Sequence, residues 1–112
     1  EVNKWFYYII FNLIIIWKNN IVKIDSPLEK ISKINGVYFN WNETAKELNQ
    51  KDTNKREVGF IAQEVKEFIP QAYIETGEED SKFIGLNDRP IIAALVKAVQ
   101  EQNQLILDLQ SR

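Results

Sequence analysis

The chain is short and weakly acidic. It has 112 residues, with 14 Lys or Arg, 16 Asp or Glu and a formal net charge of −2, and it contains neither histidine nor cysteine. Such a balance provides no basic field to hold nucleic acid, and the missing cysteines exclude disulfides, thiol nucleophiles and thiolate zinc sites. Without histidine the usual general base and the commonest metal ligand are absent. A binding or structural function is therefore favoured, and no cofactor or metal site is predicted.

The N-terminal segment is unusually apolar. Residues 5–17 are apolar except for Asn12 and are flanked by Lys4 and Lys18. As a helix they would span roughly 20 Å, short of a bilayer core of about 30 Å, and their β-branched and aromatic content favours a strand. Three interpretations stay open: a buried or intersubunit strand, the tail of a longer membrane segment, or a degenerate segment. Since the chain does not begin with Met, we expect a fragment or a processed C-terminal piece, with residues 1–17 as its upstream junction.

Regular elements begin after this segment. Residues 20–24 alternate between polar and apolar side chains and predict a short strand. A helix is predicted over residues 26–34, with Ser26 as the N-cap, Pro27 at the first position and Glu29 completing a capping box.

A second predicted strand and a polar loop follow this helix. Residues 37–41 alternate in the manner of a half-buried strand, with Val37, Phe39 and Trp41 on one face. Residues 42–56 are almost wholly polar and predict a loop with one helical turn around residues 45–48.

The stretch GFIAQEVKEFIP is expected to be a strand that enters a short helix. The strand covers residues 57–61, the helix continues to residue 69, and Pro70 prevents its continuation. We expect burial of the large apolar side chains of this stretch beside two aromatic residues of the preceding strand. They are Phe60 or Ile61, Val65 and Phe68, packed alongside Phe39 and Trp41.

Two polar residues, Gln63 and Glu64, stand in the first turn of this helix. We expect the Glu64 carboxylate to interact favourably with the positive N-terminal end of the helix. The Gln63 side chain is expected to hydrogen-bond to backbone groups of a neighbouring chain. A catalytic pair is disfavoured, because the side chains of adjacent helical residues diverge.

Two further strands, at residues 72–76 and 81–86, are predicted to form a hairpin. Its acidic turn GEED, at residues 77–80, lacks the alternating ligand spacing of an EF-hand loop, so a solvated hairpin tip is expected rather than a calcium site.

The last helix, predicted from Pro90 onward, carries a heptad stripe. Its first half, where Ile91, Ala94 and Ala98 widen the apolar face, is expected to pack on its own domain, whereas the narrow stripe beyond Gln102 favours self-association. The pattern does not fix the number of strands. The predicted seam consists of Ile92, Leu95, Val99, Gln102, Ile106 and Leu109.

Taken in order, these segments resemble the intramolecular chaperone auto-processing domain at the C-terminus of phage tailspikes, endosialidases and tail fibres. The resemblance covers residues 18–112 and includes IVKIDSPLEKISKINGVYFNWN and the helix IIAALVKAVQEQNQLILDLQ. Its most specific part is the G-F-I-A-Q-E-V…P run. The residues of that run that carry the motif are Gly59, Phe60, Ala62, Gln63, Glu64, Val65 and Pro70.

The resemblance implies a homotrimer that helps the upstream β-helical fibre of its own polypeptide to fold and then cleaves itself. In the family a serine attacks the peptide bond on its own N-terminal side, and a lysine five residues later acts as base in an S-D-x-R-x-K motif. Aligned on this motif, Lys18 stands at the lysine position and Leu13 at the serine position, with Ile14 and Ile16 replacing the Asp and the Arg. The alignment implies a member without self-cleavage, or one with a replaced or misread N-terminus. Ser26 is the nearest substitute, and its capping context favours a structural role.

The sequence therefore predicts an α+β fold, a small mixed domain of short strands and helices that ends in a long helix forming a trimeric coiled coil. Residues 18–89 are expected to form the core and residues 90–112 the coiled-coil helix. The leading function is a trimerising chaperone for a phage fibre or spike, assembled in the host cytoplasm as a virus tail precursor. The alternatives are an active self-cleaving serine peptidase of the same family and a permanently attached trimerisation cap or membrane-tethered assembly domain without protease activity. Nucleic acid is not an expected partner, and membrane contact stays open only for residues 5–17.

Overall fold

The computed structural model describes residues 18–49, 51–77 and 83–112. The apolar segment at residues 1–17 and most of the acidic turn lie outside them. Short strands alternate with short helices before one long helix, which confirms the predicted α+β class. The elements in chain order are α1 (Pro27–Lys33), β1 (Gly36–Asn40), α2 (Glu43–Asn49), β2 (Arg56–Phe60), α3 (Ala62–Phe68), a 3₁₀ turn (Pro70–Ala72), β3 (Tyr73–Thr76), β4 (Phe83–Leu86) and α4 (Asp88–Gln110).

The strands form two separate antiparallel pairs within the described residues. β1 pairs with β2, so that Tyr38 lies opposite Val58, and β3 pairs with β4, with Tyr73 opposite Leu86. A two-stranded pair is at best marginally stable alone in water. Both hairpins therefore depend on packing against the helices.

The core is built from residues of α3, the 3₁₀ turn and α4, and α1 packs along α4 beside it. Val65, in the centre of α3, has no exposed surface. Pro70 ends α3 as predicted, because its ring cannot continue the helix, and the Ile69 amide closes the last turn by donating to the Val65 carbonyl at 2.7 Å. The buried cluster consists of Val65, Ile69, Ala72, Ile91 and Ala94, and the partly buried Ile31, Ile34, Phe60, Phe68 and Leu86 pack around it.

The predicted helix α1 is confirmed, but the prediction that a capping box begins it is wrong. Ser26 has a left-handed backbone (φ 46°, ψ 48°), and its side chain makes no capping hydrogen bond. A capping hydroxyl needs the extended backbone that an N-cap residue usually adopts. Glu101 of α4 reaches the start of α1 instead, and its Oε2 accepts a hydrogen bond from the Leu28 amide at 3.4 Å.

The prediction of a strand at residues 20–24 is also wrong. The segment is irregular, and Ile21 and Val22 are largely exposed. Alternation alone does not make a strand where no neighbouring backbone is available for pairing, and none of the described strands pairs with this segment.

Two helices are longer than their side-chain patterns predicted. The polar loop contains the seven-residue α2, whose first turn is capped by Asn42, since its Oδ1 accepts from the Ala45 amide at 3.0 Å. Likewise α4 begins at Asp88 rather than Pro90, because Asn87 Oδ1 accepts from the Arg89 amide at 3.2 Å. Asparagine caps therefore set both helix starts.

Burial in the central stretch is only partly as expected. Val65 is buried, while Phe60 and Phe68 are partly buried against the core and Ile61 is exposed. The expectation that Phe39 and Trp41 join them is wrong, because these half-buried rings lie outside the core cluster. They contact each other instead, edge to face, with centroids 5.1 Å apart.

We predict that Val65→Ala lowers the free energy of unfolding by about 2 kcal/mol, because it removes two buried methyl groups and leaves a cavity. The control is Val22→Ala, the same change at a side chain that is 85% exposed, which is expected to stay within about 0.5 kcal/mol of the parent. Urea titrations followed by circular dichroism measure both variants. Equal destabilisation would contradict the assigned core.

Candidate functional site

The long helix α4 carries apolar side chains on two sides. Ile91, Ala94 and Ala98 are buried against the domain. At about 100° per residue, the predicted seam lies roughly a quarter of the circumference away from them. All its members are exposed, at 57% for Ile92, 48% for Leu95, 55% for Val99, 48% for Ile106 and 66% for Leu109, and Gln102 is exposed among them. We call these six residues the exposed stripe.

The second half of α4 extends beyond the domain. From Glu101 onward every described residue is exposed, including Leu105 and Leu107 on either side of Ile106. Isolated helices of this length are marginal in water, since most helical stability in proteins comes from packing an apolar face. An apolar helix end that no other described residue covers is typical of an assembly element.

A groove of about 650 Å³ opens between the β1–β2 hairpin, β4 and the start of α4. Asp88 of α4 lines it and stands one helical turn before Ile92, the first residue of the exposed stripe. Gln63 also lines it, and most of the remaining lining is apolar. The apolar lining residues include Phe39, Trp41, Val58, Phe60, Ile61, Ile84 and Leu86.

Two motif residues have structural roles that involve other elements. Gly59 lets the Phe39 ring lie across β2, since a Cβ at this position would stand 3.2 Å from Phe39 Cε1. Glu64 lies in the first turn of α3 as predicted, and its carboxylate oxygens accept from the Asn35 amide at 3.2 Å and from Asn35 Nδ2 at 3.0 Å. Glu64 thereby ties α3 to the end of α1. The sequence predicted only a helix that ends at residue 34, so this contact with Asn35 was missed.

The residues considered for self-cleavage do not form a catalytic pair in the described structure. Leu13 lies outside the described residues, and Lys18 is exposed. Lys30 Nζ donates to Asp25 Oδ1 at 3.1 Å rather than to Ser26. That hydrogen bond lowers the pKa of Asp25 below its usual value. Lys30 is therefore paired with Asp25 in this arrangement and not with Ser26.

The described residues contain no group of three acidic side chains that could hold a metal ion. None of the described helices is long and apolar enough to cross a membrane.

Comparison with known proteins identifies similar sequences. Residues 17–74 match the family model described as chaperone of endosialidase. Long tail fiber protein Gp37 of Enterobacteria phage K3 and that of phage T2 are each 28% identical over 96 residues, covering 85% of this chain and 7% of the phage protein. Long tail fiber protein Gp37 of Enterobacteria phage M1 is 26% identical over 87 residues, covering 78% of this chain and 34% of its own. The chain thus spans a minor part of these relatives.

We predict that Glu64→Gln lowers the free energy of unfolding by about 1 kcal/mol, because an amide provides one acceptor oxygen in place of two and carries no charge. The matched control is Glu67→Gln, at an exposed position of the same helix, which is expected to have little effect. A double-mutant cycle with Asn35→Ala isolates the contact. Additive effects of Glu64→Gln and Asn35→Ala would contradict the assigned tie between α1 and α3.

Proposed function

Because the chain belongs to the chaperone of endosialidase family, we propose that it is a trimerising chaperone domain of a phage tail fibre and acts on the upstream fibre of its own polypeptide. In this proposal residues 18–112 act as one unit and residues 1–17 form the junction to the fibre. The observation that carries the proposal is the exposed stripe of α4, which repeats at heptad spacing. The Gp37 relatives, which are tail fibre proteins by name, support the choice of client.

The exposed stripe supports assembly through α4. Its first heptad position holds Ile92, Val99 and Ile106, and its fourth heptad position holds Leu95, Gln102 and Leu109. Side chains of these kinds pack as knobs into holes, and one polar layer specifies register at a cost in stability. The number of strands is not fixed by these side chains, so three chains are proposed on the family resemblance.

A trimer explains how such a domain would promote folding. Joining three chains through α4 holds their upstream segments together, which raises the effective concentration of each segment for the others to about the millimolar range. An interwoven fibre pays a large entropic cost to bring three chains into register. Assembly at one end lowers that cost before the fibre strands pair.

We predict that the protein has three times the 13.1 kDa mass of one chain at micromolar concentration in light scattering. Ile106→Asp is expected to dissociate it, because each chain would bury an unpaired charge in the seam. The control, Gln100→Asp, adds the same charge to α4 away from the exposed stripe and is expected to remain trimeric. A monomeric or dimeric parent protein would contradict the proposal.

We further propose that the chain does not cleave itself, so that the domain stays attached to its fibre as a cap. A Ser-Lys pair needs a hydroxyl within hydrogen-bonding reach of a neutral amine, and Leu13 supplies only hydrocarbon. Lys18 is the remnant of the pair in this proposal.

Intact mass spectrometry of the chain with its natural upstream fibre is expected to show one uncut polypeptide. Restoring the motif with Leu13→Ser, Ile14→Asp and Ile16→Arg together is expected to produce cleavage before position 13. Cleavage of the unchanged chain would contradict the alignment and make Ser26 the next residue to substitute.

A further inference from the structure

We infer that Gln102 selects the direction in which the chains associate, because its amide finds a hydrogen-bond partner only when neighbouring α4 helices run parallel and in register. Such selection presupposes the trimer proposed above and adds to it the direction of each chain. Assembly raises the effective concentration of the upstream segments only if all of them leave from the same end of the bundle. An opposed chain would carry its fibre away from the others.

Gln102 is the polar exception in the exposed stripe, whose other five residues are apolar. Nearby polar side chains have partners on the helix itself. Lys97 Nζ donates to Gln100 Oε1 at 3.4 Å, and Gln104 Nε2 donates to Asp108 Oδ1 at 3.0 Å. The Gln102 amide makes no hydrogen bond to any other described residue. Once the stripe is buried between copies, this amide needs a partner in a neighbouring copy.

The group that Gln102 meets depends on the direction of the neighbouring chain. In a parallel, in-register assembly each core position faces its own copies, so that every Gln102 amide can donate to the side-chain oxygen of the next. In an antiparallel pair with the whole stripe in overlap, the first core residue faces the last and so on inward, which puts Val99 opposite Gln102. A shift of one heptad either way puts Ile92 or Ile106 there instead. Every antiparallel alignment thus buries the amide against hydrocarbon, with its donors and acceptor unsatisfied.

Charges do not select the direction. In coiled coils, charged residues beside the core set orientation, but along the exposed stripe of α4 these flanking positions are uncharged. They hold Ile91, Val96, Ala98, Asn103, Leu105 and Gln110. Arg89 and Arg112 occupy the same kind of position beyond the two ends of the stripe, and both are positive. Asp88, one heptad before Leu95, is exposed in the first turn of α4, where the positive helix end stabilises an acid, so it opposes parallel association only weakly.

Distances between spin labels measure the direction, since the chain has no cysteine of its own. Gln110→Cys places one nitroxide near the C-terminal end of α4, outside the stripe. In a parallel assembly the labels lie at one level, within about 20 Å of each other, because packed helix axes stand about 10 Å apart. An opposed chain would carry its label roughly 30 Å away along the axis, at 1.5 Å per residue. We expect only the short distance in the otherwise unchanged protein.

Substitutions in the stripe test whether Gln102 is responsible. Gln102→Leu leaves an apolar stripe that matches in both directions. We expect it to add the long distance for up to about half of the label pairs, because without an energy difference each pair of chains is parallel or opposed equally often. The matched control combines Val99→Gln with Gln102→Val, which keeps one polar layer but moves it, and it is expected to give only the short distance.

Val99→Gln alone provides a second test in which no polar side chain is removed. With amides at both positions, opposed chains also match amide to amide, so we expect the long distance to appear. Light scattering gives the mass of each variant, and circular dichroism establishes that each is folded.

The outcomes separate direction from assembly. A monomeric parent protein would overturn both proposals. An assembled parent with the long distance, or a Gln102→Leu assembly with only the short one, would overturn the role of Gln102 and leave association through α4 standing. Loss of assembly in Gln102→Leu would also overturn it, since removing a polar layer is expected to strengthen the seam.

Discussion

The packing of one side of α4 against α1 and the 3₁₀ turn determines how the rest of the domain is organised. Ile91 and Ala94 join Val65, Ile69 and Ala72 in one buried cluster, and the short elements gain their stability around that cluster. Seven-residue helices and two-stranded hairpins are not stable by themselves. The small side chains at positions 94 and 98 also allow the close approach of α1, which packs along α4. The Leu28 amide of α1 donates a hydrogen bond to Glu101 of α4.

One side of α4 is buried in the core. The neighbouring side, which carries the exposed stripe, is therefore available to bind other chains. A domain of this size buries a limited share of its apolar surface, and part of the remainder among the described residues lies in the exposed stripe and the groove. Asp88 lines the groove and stands one helical turn before Ile92 of the exposed stripe. The same helix thus stabilises one chain and, in the proposed function, joins three chains, so folding and assembly are coupled through a single element.

Most of the fold could be predicted from local pattern. The helix that ends at Pro70, the alternating strand of β1 and the heptad stripe of α4 each follow from short-range spacing, and so did the exposure of the stripe. The errors involve distant partners. Ser26 does not cap α1, because its backbone is left-handed, and Glu101, far along the chain, accepts from the Leu28 amide instead. The Glu64–Asn35 contact joins elements that spacing cannot relate. The groove was missed because Phe39 and Trp41 alternate as core residues do, and only the tertiary arrangement places them at a surface.

Hydrogen exchange along α4 tests most directly whether the helix serves these two purposes. Amides before Glu101 lie where α4 packs on its own domain, whereas residues 105–109 are all exposed in the part of the chain that the structure describes, and in the proposed function another copy covers them. We predict slow exchange in the first group at every protein concentration, and slow exchange in the second group only at concentrations where the protein assembles. Protection of the second group that does not change with concentration would contradict the account.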